Sequence, residues 1–537
     1  MTTSAADGVR DPFRDSSAEG REYGSSEGST LNVGRNATLT LGMDSLIVLD
    51  EDTIERDASN CCGLIPSSKH LCIPHKNADM YLTQRHIGNK ATRAIPFYNI
   101  LWANINDYST ASEIVINYAH PISKSCVRTK SLAYAVDKAD HRHAEAWTES
   151  LLDCAYGESQ RRKRMKVLIN PFGGKGQAKK YYDRDIAPIF TGAWCEVDVE
   201  RTQYSGHAVE IAQQLDTDRY DVVACCSGDG LPHEVFNGLG RKRDARRALR
   251  KIAVVQLPCG TGNAMSLNLN GTDSPSLAAL CIVKGLRTPL DLIAITQGDR
   301  LMLSFLSQSV GIVAETDLAT EHLRWMGSQR FTYGFLIRLL GKTVYPCDVA
   351  VAVEIGDKAA IRDAYNAAVS SKAAPSSRSS SCSGEITEGD DPADLGLPAL
   401  KFGTVQDALP EGWKLVPYDK MGNFYAGNMA YMSANANFFP AALPADACAD
   451  LVCIDGDISR RAAIGSLSAV ETGAFFDMPH VHYRKIKGYR ILPKQRRDGY
   501  ISIDGERVPF EPFQAEVLAA LGTVLSRSGR GYEARGP

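Results

Sequence analysis

The chain has 537 residues, 44% of them hydrophobic and 23% charged, which is the balance of a soluble globular protein with ample material for a large core. At roughly 100–200 residues per domain it holds two to four domains. A net charge of -3 argues against a nucleic-acid binder. No apolar run reaches the ~18 residues of a bilayer span, the N-terminus lacks a signal-peptide core, and the 14 Cys follow no zinc or disulfide spacing. The expectation is a cytoplasmic protein that meets membranes only peripherally.

Residues 1–40, rich in Ser, Gly and charge, read as a disordered tail. Strand-like runs at 38–41, 45–49, 95–104 and 113–118, closed by Ala144, Trp147, Leu151 and Leu152 at helical spacing, predict a small pleckstrin-homology-like module over 41–160. Cys61-Cys62 within it is a candidate for S-palmitoylation, an anchor only with a second signal. Arg161-Arg162-Lys163-Arg164 reads first as a solvated linker, with contact to anionic headgroups as the alternative. From Lys166 onward, apolar strands at 166–171, 194–200, 221–226 and 252–257 alternate with helical stretches. That alternation predicts a doubly wound parallel α/β sheet over 161–300. Longer alternating runs then predict an antiparallel β-sandwich over 301–520, with one helix at 317–323 and a Ser-rich disordered insertion at 366–398. A last helix is expected at 513–521, before a C-terminal tail at 521–537.

Three of the expected parallel strands run into glycine-rich turns. The first meets Asn170-Pro171-Phe172-Gly173-Gly174-Lys175-Gly176, the third Ser227-Gly228-Asp229-Gly230, and the fourth Pro258-Cys259-Gly260-Thr261-Gly262-Asn263. Ligands of open α/β sheets bind beyond the carboxyl ends of the strands. Glycine admits close backbone approach, and N–H groups at a helix start hold phosphate oxygens. One such turn is ordinary chain reversal, whereas three on one sheet point to a phosphate-binding cleft. Neither GxxxxGK[ST] nor GxGxxG occurs, so the cleft is neither a P-loop nor a dinucleotide site. Asp229 stands between two glycines. A carboxylate among phosphate-binding amides suits one that takes a proton from an attacking hydroxyl or holds Mg²⁺. A helix N-cap is the plainer alternative.

The stretches NPFGGKGQA (170–178), SGDGLPHEVFNGL (227–239), LPCGTGNAM (257–265), GIVAETDLATEHLRWMGSQRFT (311–332) and DGERV (504–508) together resemble the diacylglycerol-kinase catalytic fold. Within it they are most similar to the sphingosine (long-chain base) kinases. The resemblance implies an ATP-dependent lipid kinase, with ATP and Mg²⁺ in a cleft between the α/β and β-sandwich domains. It implies Asp229 as the catalytic residue acting on the lipid hydroxyl. Nucleotide and phosphate contacts are implied at Asn170, Gly173, Gly174, Lys175, Gly176, Thr202, Ser227, Gly228, Gly230, Glu234, Gly260, Thr261 and Gly262. Further implied contacts are Arg324 and Arg330, whose guanidinium forks suit phosphate, and the late Asp504-Gly505-Glu506, with Asp229 and Asp504 as metal ligands.

Asp317 matches an acidic residue that recognises the polar head of a sphingoid base. Asp317, Glu321 and Arg324 share one helical face at i, i+4 and i+7, so Glu321 is expected either to join Asp317 as a substrate contact or to pair with Arg324 within the helix. A carboxylate suits a protonated amine, which ceramide and diacylglycerol lack. The expected acceptor is therefore the primary hydroxyl of sphingosine, dihydrosphingosine or phytosphingosine. A ceramide or diacylglycerol kinase is the rival enzyme, and an inactive lipid-binding adaptor the rival from another class. The family often has Asp where this chain has Glu315, and Pro232 sits at a helix start, where it is tolerated. His480 and His482 lack a third metal ligand, and Asn437-Phe438-Phe439-Pro440 is either core or the wall of an acyl-chain pocket.

Overall fold

The computed structural model describes residues 29–50, 91–108, 112–174, 176–319, 343–373, 395–494 and 499–537. The chain divides into two compact units, residues 1–161 with 188–194, and residues 162–187 with 195–537.

In the first unit, β1 (Thr30–Val33), β2 (Ala37–Leu41), β3 (Ser45–Asp50) and β4 (Ala91–Pro96) form a four-stranded antiparallel sheet. A three-stranded one follows in β5 (Ile100–Asp107), β6 (Ser112–Ser123) and β7 (Cys126–Val136). Leu31 and Val33, Leu46 and Val48, and Ile114 and Ile116 are buried, the period of two that a half-buried strand imposes. The helix α1 (His141–Tyr156) turns Ala144, Trp147, Leu151, Leu152 and Ala155 inward, and Trp147 Nε1 donates to the Ser29 carbonyl at 3.1 Å. Strand structure begins at Thr30, inside the segment expected to be a disordered tail. The Leu31/Val33 alternation is too short to stand out against the polar residues before it.

In the second unit, β8 (Arg164–Ile169), β9 (Glu196–Arg201), β10 (Val222–Ser227) and β11 (Ala253–Pro258) are parallel, in the order β9-β8-β10-β11. β10 and β11 are buried at every position, as expected of strands covered on both faces. The intervening helices include α2 (His207–Gln214), α3 (Gly230–Gly240), α4 (Ala245–Lys251), α5 (Ala264–Asn270) and α6 (Pro275–Lys284). Antiparallel strands follow: β12 (Leu286–Gln297), β13 (Arg300–Ser304), β14 (Ser307–Gly311), β15 (Cys347–Ile355), β16 (Val416–Tyr418) and β17 (Met421–Gly427). After the short β18 (Tyr431–Ser433) and β19 (Ala436–Asn437) come β20 (Ala449–Asp455), β21 (His482–Pro493), β22 (Ile501–Ile503), β23 (Glu506–Val508) and β24 (Phe513–Ser526). Among the described residues, the helices α7 (Ile312–Ala319), α8 (Lys358–Ala373) and α9 (Arg460–Thr472) punctuate them.

The expected helix at 513–521 is instead part of β24, and this strand makes the parallel and antiparallel parts one sheet. It pairs parallel with β11 and antiparallel with β12 and β21. Its Ala and Leu residues favour a helix in isolation, but tertiary burial overrides that propensity. β24 also occupies the start of the segment expected as a tail, and Tyr532 beyond it donates to the Asn428 carbonyl at 2.6 Å. α7 begins earlier than the helix expected at 317–323, and residues beyond 319 of that stretch lie outside the description. α8 runs to Ala373, past the expected start of the insertion at 366, and residues 374–394 are likewise outside it.

The Arg161–Arg164 run spans the boundary between the two units, as the linker reading expects, but three of its four cations are engaged by the protein. Arg161 pairs with Glu149 and Asp153, Lys163 is buried with Nζ on the Val283 carbonyl at 2.6 Å, and Arg164 pairs with Asp221. No described helix is long and apolar enough to cross a membrane.

Candidate active site

Because β8, β10 and β11 end side by side, their glycine turns meet. A Cβ on Gly260 would lie 2.3 Å from Gly228 Cα, and one on Gly174, whose φ is 59°, would lie 2.6 Å from the Cys259 carbonyl oxygen. No side chain fits at those distances, so loop packing against loop demands glycine before any ligand does. Asn170 Oδ1 accepts from Phe172 N at 2.9 Å. Asn263, with φ of 53°, closes the third turn by accepting from Gly260 N at 2.9 Å and donating to the Gly260 carbonyl at 3.2 Å.

Asp229 follows the end of β10, half-buried where these turns converge. It occupies the N-cap position of α3 yet makes no side-chain cap bond there. Its carboxylate turns to the neighbouring α5 instead. Oδ1 accepts from Met265 N at 3.0 Å and Gln256 Nε2 at 3.1 Å, and Oδ2 accepts from Ala264 N at 3.0 Å. Three of about four lone-pair directions are thus used, and one is left. Burial raises the Asp229 pKa above the ordinary aspartate value. Those three hydrogen bonds oppose the rise, the nearby Asp504 charge adds to it, and the net shift is upward. That is the direction a general base needs.

Asp504 is a different kind of carboxylate. It opens the Asp504-Gly505 turn between β22 and β23, with φ of 52° at Asp504 and 85° at Gly505, as a two-residue hairpin turn requires. Its side chain is buried. Oδ1 accepts from Ser304 Oγ at 2.6 Å, Leu306 N at 3.0 Å and Ser307 N at 2.9 Å, and Oδ2 from Phe305 N at 3.0 Å. His233 Nδ1, on α3, lies 2.8 Å from Oδ2. With five donors on one carboxylate, no lone pair remains for a metal. The expected Mg²⁺ ligation by Asp504 therefore does not fit this geometry. Among the described residues no group of three or more His, Cys, Asp or Glu side chains is arranged to hold a metal ion.

Glu506 reaches back to the start of α3, where a Cβ on Gly230 would sit 3.1 Å from its Oε1. Glu234 Oε2 accepts from Ala208 N at 3.1 Å, in the first turn of α2. Thr202 is buried, with Oγ1 3.5 Å from the Ile169 carbonyl, and a Cβ on Gly173 would lie 3.4 Å from the buried Ser227 Oγ. Thr261 and Gly262 lie half-buried in the third turn. Asp317 falls within α7, and Glu315 on the same helix takes a hydrogen bond from the Tyr345 hydroxyl. Lys175, Glu321, Arg324, Arg330, Cys61 and Cys62 lie outside the described residues. His480 Nε2 lies 2.7 Å from Ser466 Oγ, and Phe439 is fully buried in the core beside Tyr425.

Two residues that hold the site were given no role in the sequence reading, Gln256 outside every motif and Asn263 within one. Gln256 bridges Asp229 Oδ1 and Ser266 N, and Asn263 shapes the third turn. Gln256 had a signal, since it is the lone polar side chain in the strand Ala-Val-Val-Gln-Leu-Pro.

Two family patterns match the chain. Residues 164–295 match the diacylglycerol kinase catalytic domain, and residues 29–157 match a domain of unknown function (DUF7493). The second unit therefore carries the catalytic domain of a lipid kinase. Sphingoid long chain base kinase 5 of Saccharomyces cerevisiae is 33% identical over 492 residues, covering 82% of this chain and 71% of that protein. Sphingoid long chain base kinase 4 of Schizosaccharomyces pombe is 34% identical over 470 residues, covering 87% of this chain and 93% of that one. A crystal structure of a diacylglycerol kinase from Bacillus anthracis aligns over 68% of this chain and 98% of that chain, at 15% identity and a TM-score of 0.45. The chain belongs to the sphingoid long-chain base kinase family.

Proposed function

We propose that this enzyme transfers the γ-phosphoryl group of ATP to the primary hydroxyl of a sphingoid base, giving the base 1-phosphate and ADP. In that step the hydroxyl proton passes to the Asp229 carboxylate, the acceptor O–P bond forms and the bond to the ADP oxygen breaks. The observation that carries the reading is a largely buried carboxylate with a raised pKa and a spare acceptor direction, set among three abutting glycine turns. Backbone N–H groups of those turns line the phosphates, and Arg324 and Arg330 add charge to them. Mg²⁺ commonly meets one or two carboxylates plus substrate phosphates. Of the residues present, Asp229 could hold such an ion, which would neutralise phosphate charge, though its single spare direction makes this an alternative to taking the proton. Asp504 serves as a strut: it holds the Ser304–Ser307 turn and His233.

The acceptor assignment rests on kinship with long-chain base kinases and on Asp317 as the partner of the substrate ammonium. We further assign a pleckstrin-homology-like fold to the N-terminal unit, supported by its four- and three-stranded antiparallel sheets followed by one helix, and peripheral membrane association to the whole chain. Labelled ATP offered with a sphingoid base, ceramide and diacylglycerol side by side tests the reading. Mass spectrometry is expected to find the phosphorylated base as the dominant product, and Asp317→Ala to weaken that product selectively. Dominant ceramide or diacylglycerol phosphate would sink the acceptor assignment.

A further inference from the structure

Three cations of the strongest cationic run in the sequence, Arg161, Lys163 and Arg164, have partners within the protein, but a more diffuse set on the N-terminal unit is, among the described residues, without ion-pair partners. Between Glu113 and Asp137 the chain carries no carboxylate. That stretch is the long β6–β7 hairpin, with Lys124 in its turn and Arg128 and Lys130 on β7, all exposed. Cross-strand register sets Arg128 opposite His120 and Lys130 opposite Tyr118, so these positions share one face. Arg93 on β4 is exposed close by. Burial, then the charges of Lys130 and Arg93, hold the His120 pKa down, as an unneutralised cluster does. Among the described residues, the ion pairs of this unit are made by His141 and Arg161, and none of these four cations takes part in one. At the tip, just before the turn, Ile122 is 53% exposed.

We propose that the β6–β7 hairpin is a docking surface for the anionic phospholipid face of a bilayer. An apolar tip leading a group of unpaired cations matches a surface whose negative headgroups overlie an apolar layer. An acidic protein or a soluble polyanion would satisfy the cations but leave Ile122 unused. The inference draws on the proposed function only in that the acceptor is a lipid resident in a bilayer.

The test is co-sedimentation of the full chain with phosphatidylcholine vesicles, with and without phosphatidylserine. Wild type is expected to bind only the phosphatidylserine vesicles, and less as salt is added. The Lys124→Gln/Arg128→Gln/Lys130→Gln variant is expected to bind roughly a hundredfold more weakly, from the usual contribution of each cation near such a surface. Ile122→Ser is expected to lose roughly fivefold from the smaller apolar contact. Equal binding by the triple variant and wild type overturns the proposal. So does a loss confined to the triple variant with Ile122→Ser unaffected, which is the pattern a soluble or protein polyanion gives. Kinase activity on detergent-dispersed base is expected to be unchanged in the triple variant, and it tests the catalytic reading apart from the vesicle result.

Discussion

Asp229 and Asp504 are both aspartates followed by glycine at a strand end, and both belong to motifs that a sequence reading assigns to the nucleotide. Their surroundings separate them. Asp229 accepts three hydrogen bonds and is only partly exposed. Asp504 accepts five while buried. A carboxylate can carry chemistry only with the lone pairs its scaffold leaves, so the first is poised to react and the second to brace. What matters is how many donors converge on the side chain, and a motif does not state that number.

The sharpest way to break the contrast is to remove each charge in turn. Asp229→Asn is expected to lower kcat about a thousandfold, within the span of general-base contributions. The melting temperature is expected to fall little, because only part of a hydrogen-bonded cap is lost. A variant that keeps near-normal kcat on a sphingoid base would remove Asp229 from the chemistry. Asp504→Asn should show the reverse pattern. Asparagine tolerates the positive φ at this position, so the loss isolates the hydrogen bonds. Turning an amide toward buried N–H groups is expected to cost about 3 kcal/mol in denaturant unfolding. A variant as stable as wild type but without Mg²⁺-ATP binding would restore Asp504 as a metal ligand.

The contrast itself was not legible in the sequence, though much of the site around Asp229 was, and the illegible part has a physical cause. The three glycine turns, the parallel strands that carry them and Asp229 are local patterns, readable within a dozen residues. The link from His233 to Asp504 spans 271 positions and leaves no periodic trace. β24 failed for a related reason: its Ala- and Leu-rich stretch reads as helix, and only its three strand partners make it sheet. The Arg161–Arg164 run showed charge but not its partners, Glu149, Asp153 and Asp221, which come from other elements.

Gln256 sharpens the comparison on the Asp229 side. Its amide donates to Asp229 Oδ1 and so helps hold that pKa down against burial. Gln256→Leu keeps the strand apolar and removes the donor. The acid limb of the kcat/KM profile, which the raised Asp229 pKa is expected to place above the ordinary aspartate range, should then move to higher pH, with kcat falling roughly tenfold or less. An unmoved acid limb would mean that the limb belongs to another group.

The smallest effect lies on the Asp504 side, in the pH dependence of stability that His233 confers. Burial lowers the His233 pKa, but the Asp504 hydrogen bond and the charges of Asp504, Glu506 and Glu234 outweigh it, leaving a value above 6.5. The folded state therefore binds this proton more tightly than the unfolded chain does. The resulting stabilisation is complete below pH 6.5 and is lost as pH rises through the raised folded value. Comparing the melting temperatures of wild type and His233→Gln from mildly acid to mildly alkaline pH should show the largest gap at the acid end, narrowing upward. A gap that widens with pH would mean that His233 sits neutral against Asp504, and that the brace is held by the Ser304–Ser307 turn alone.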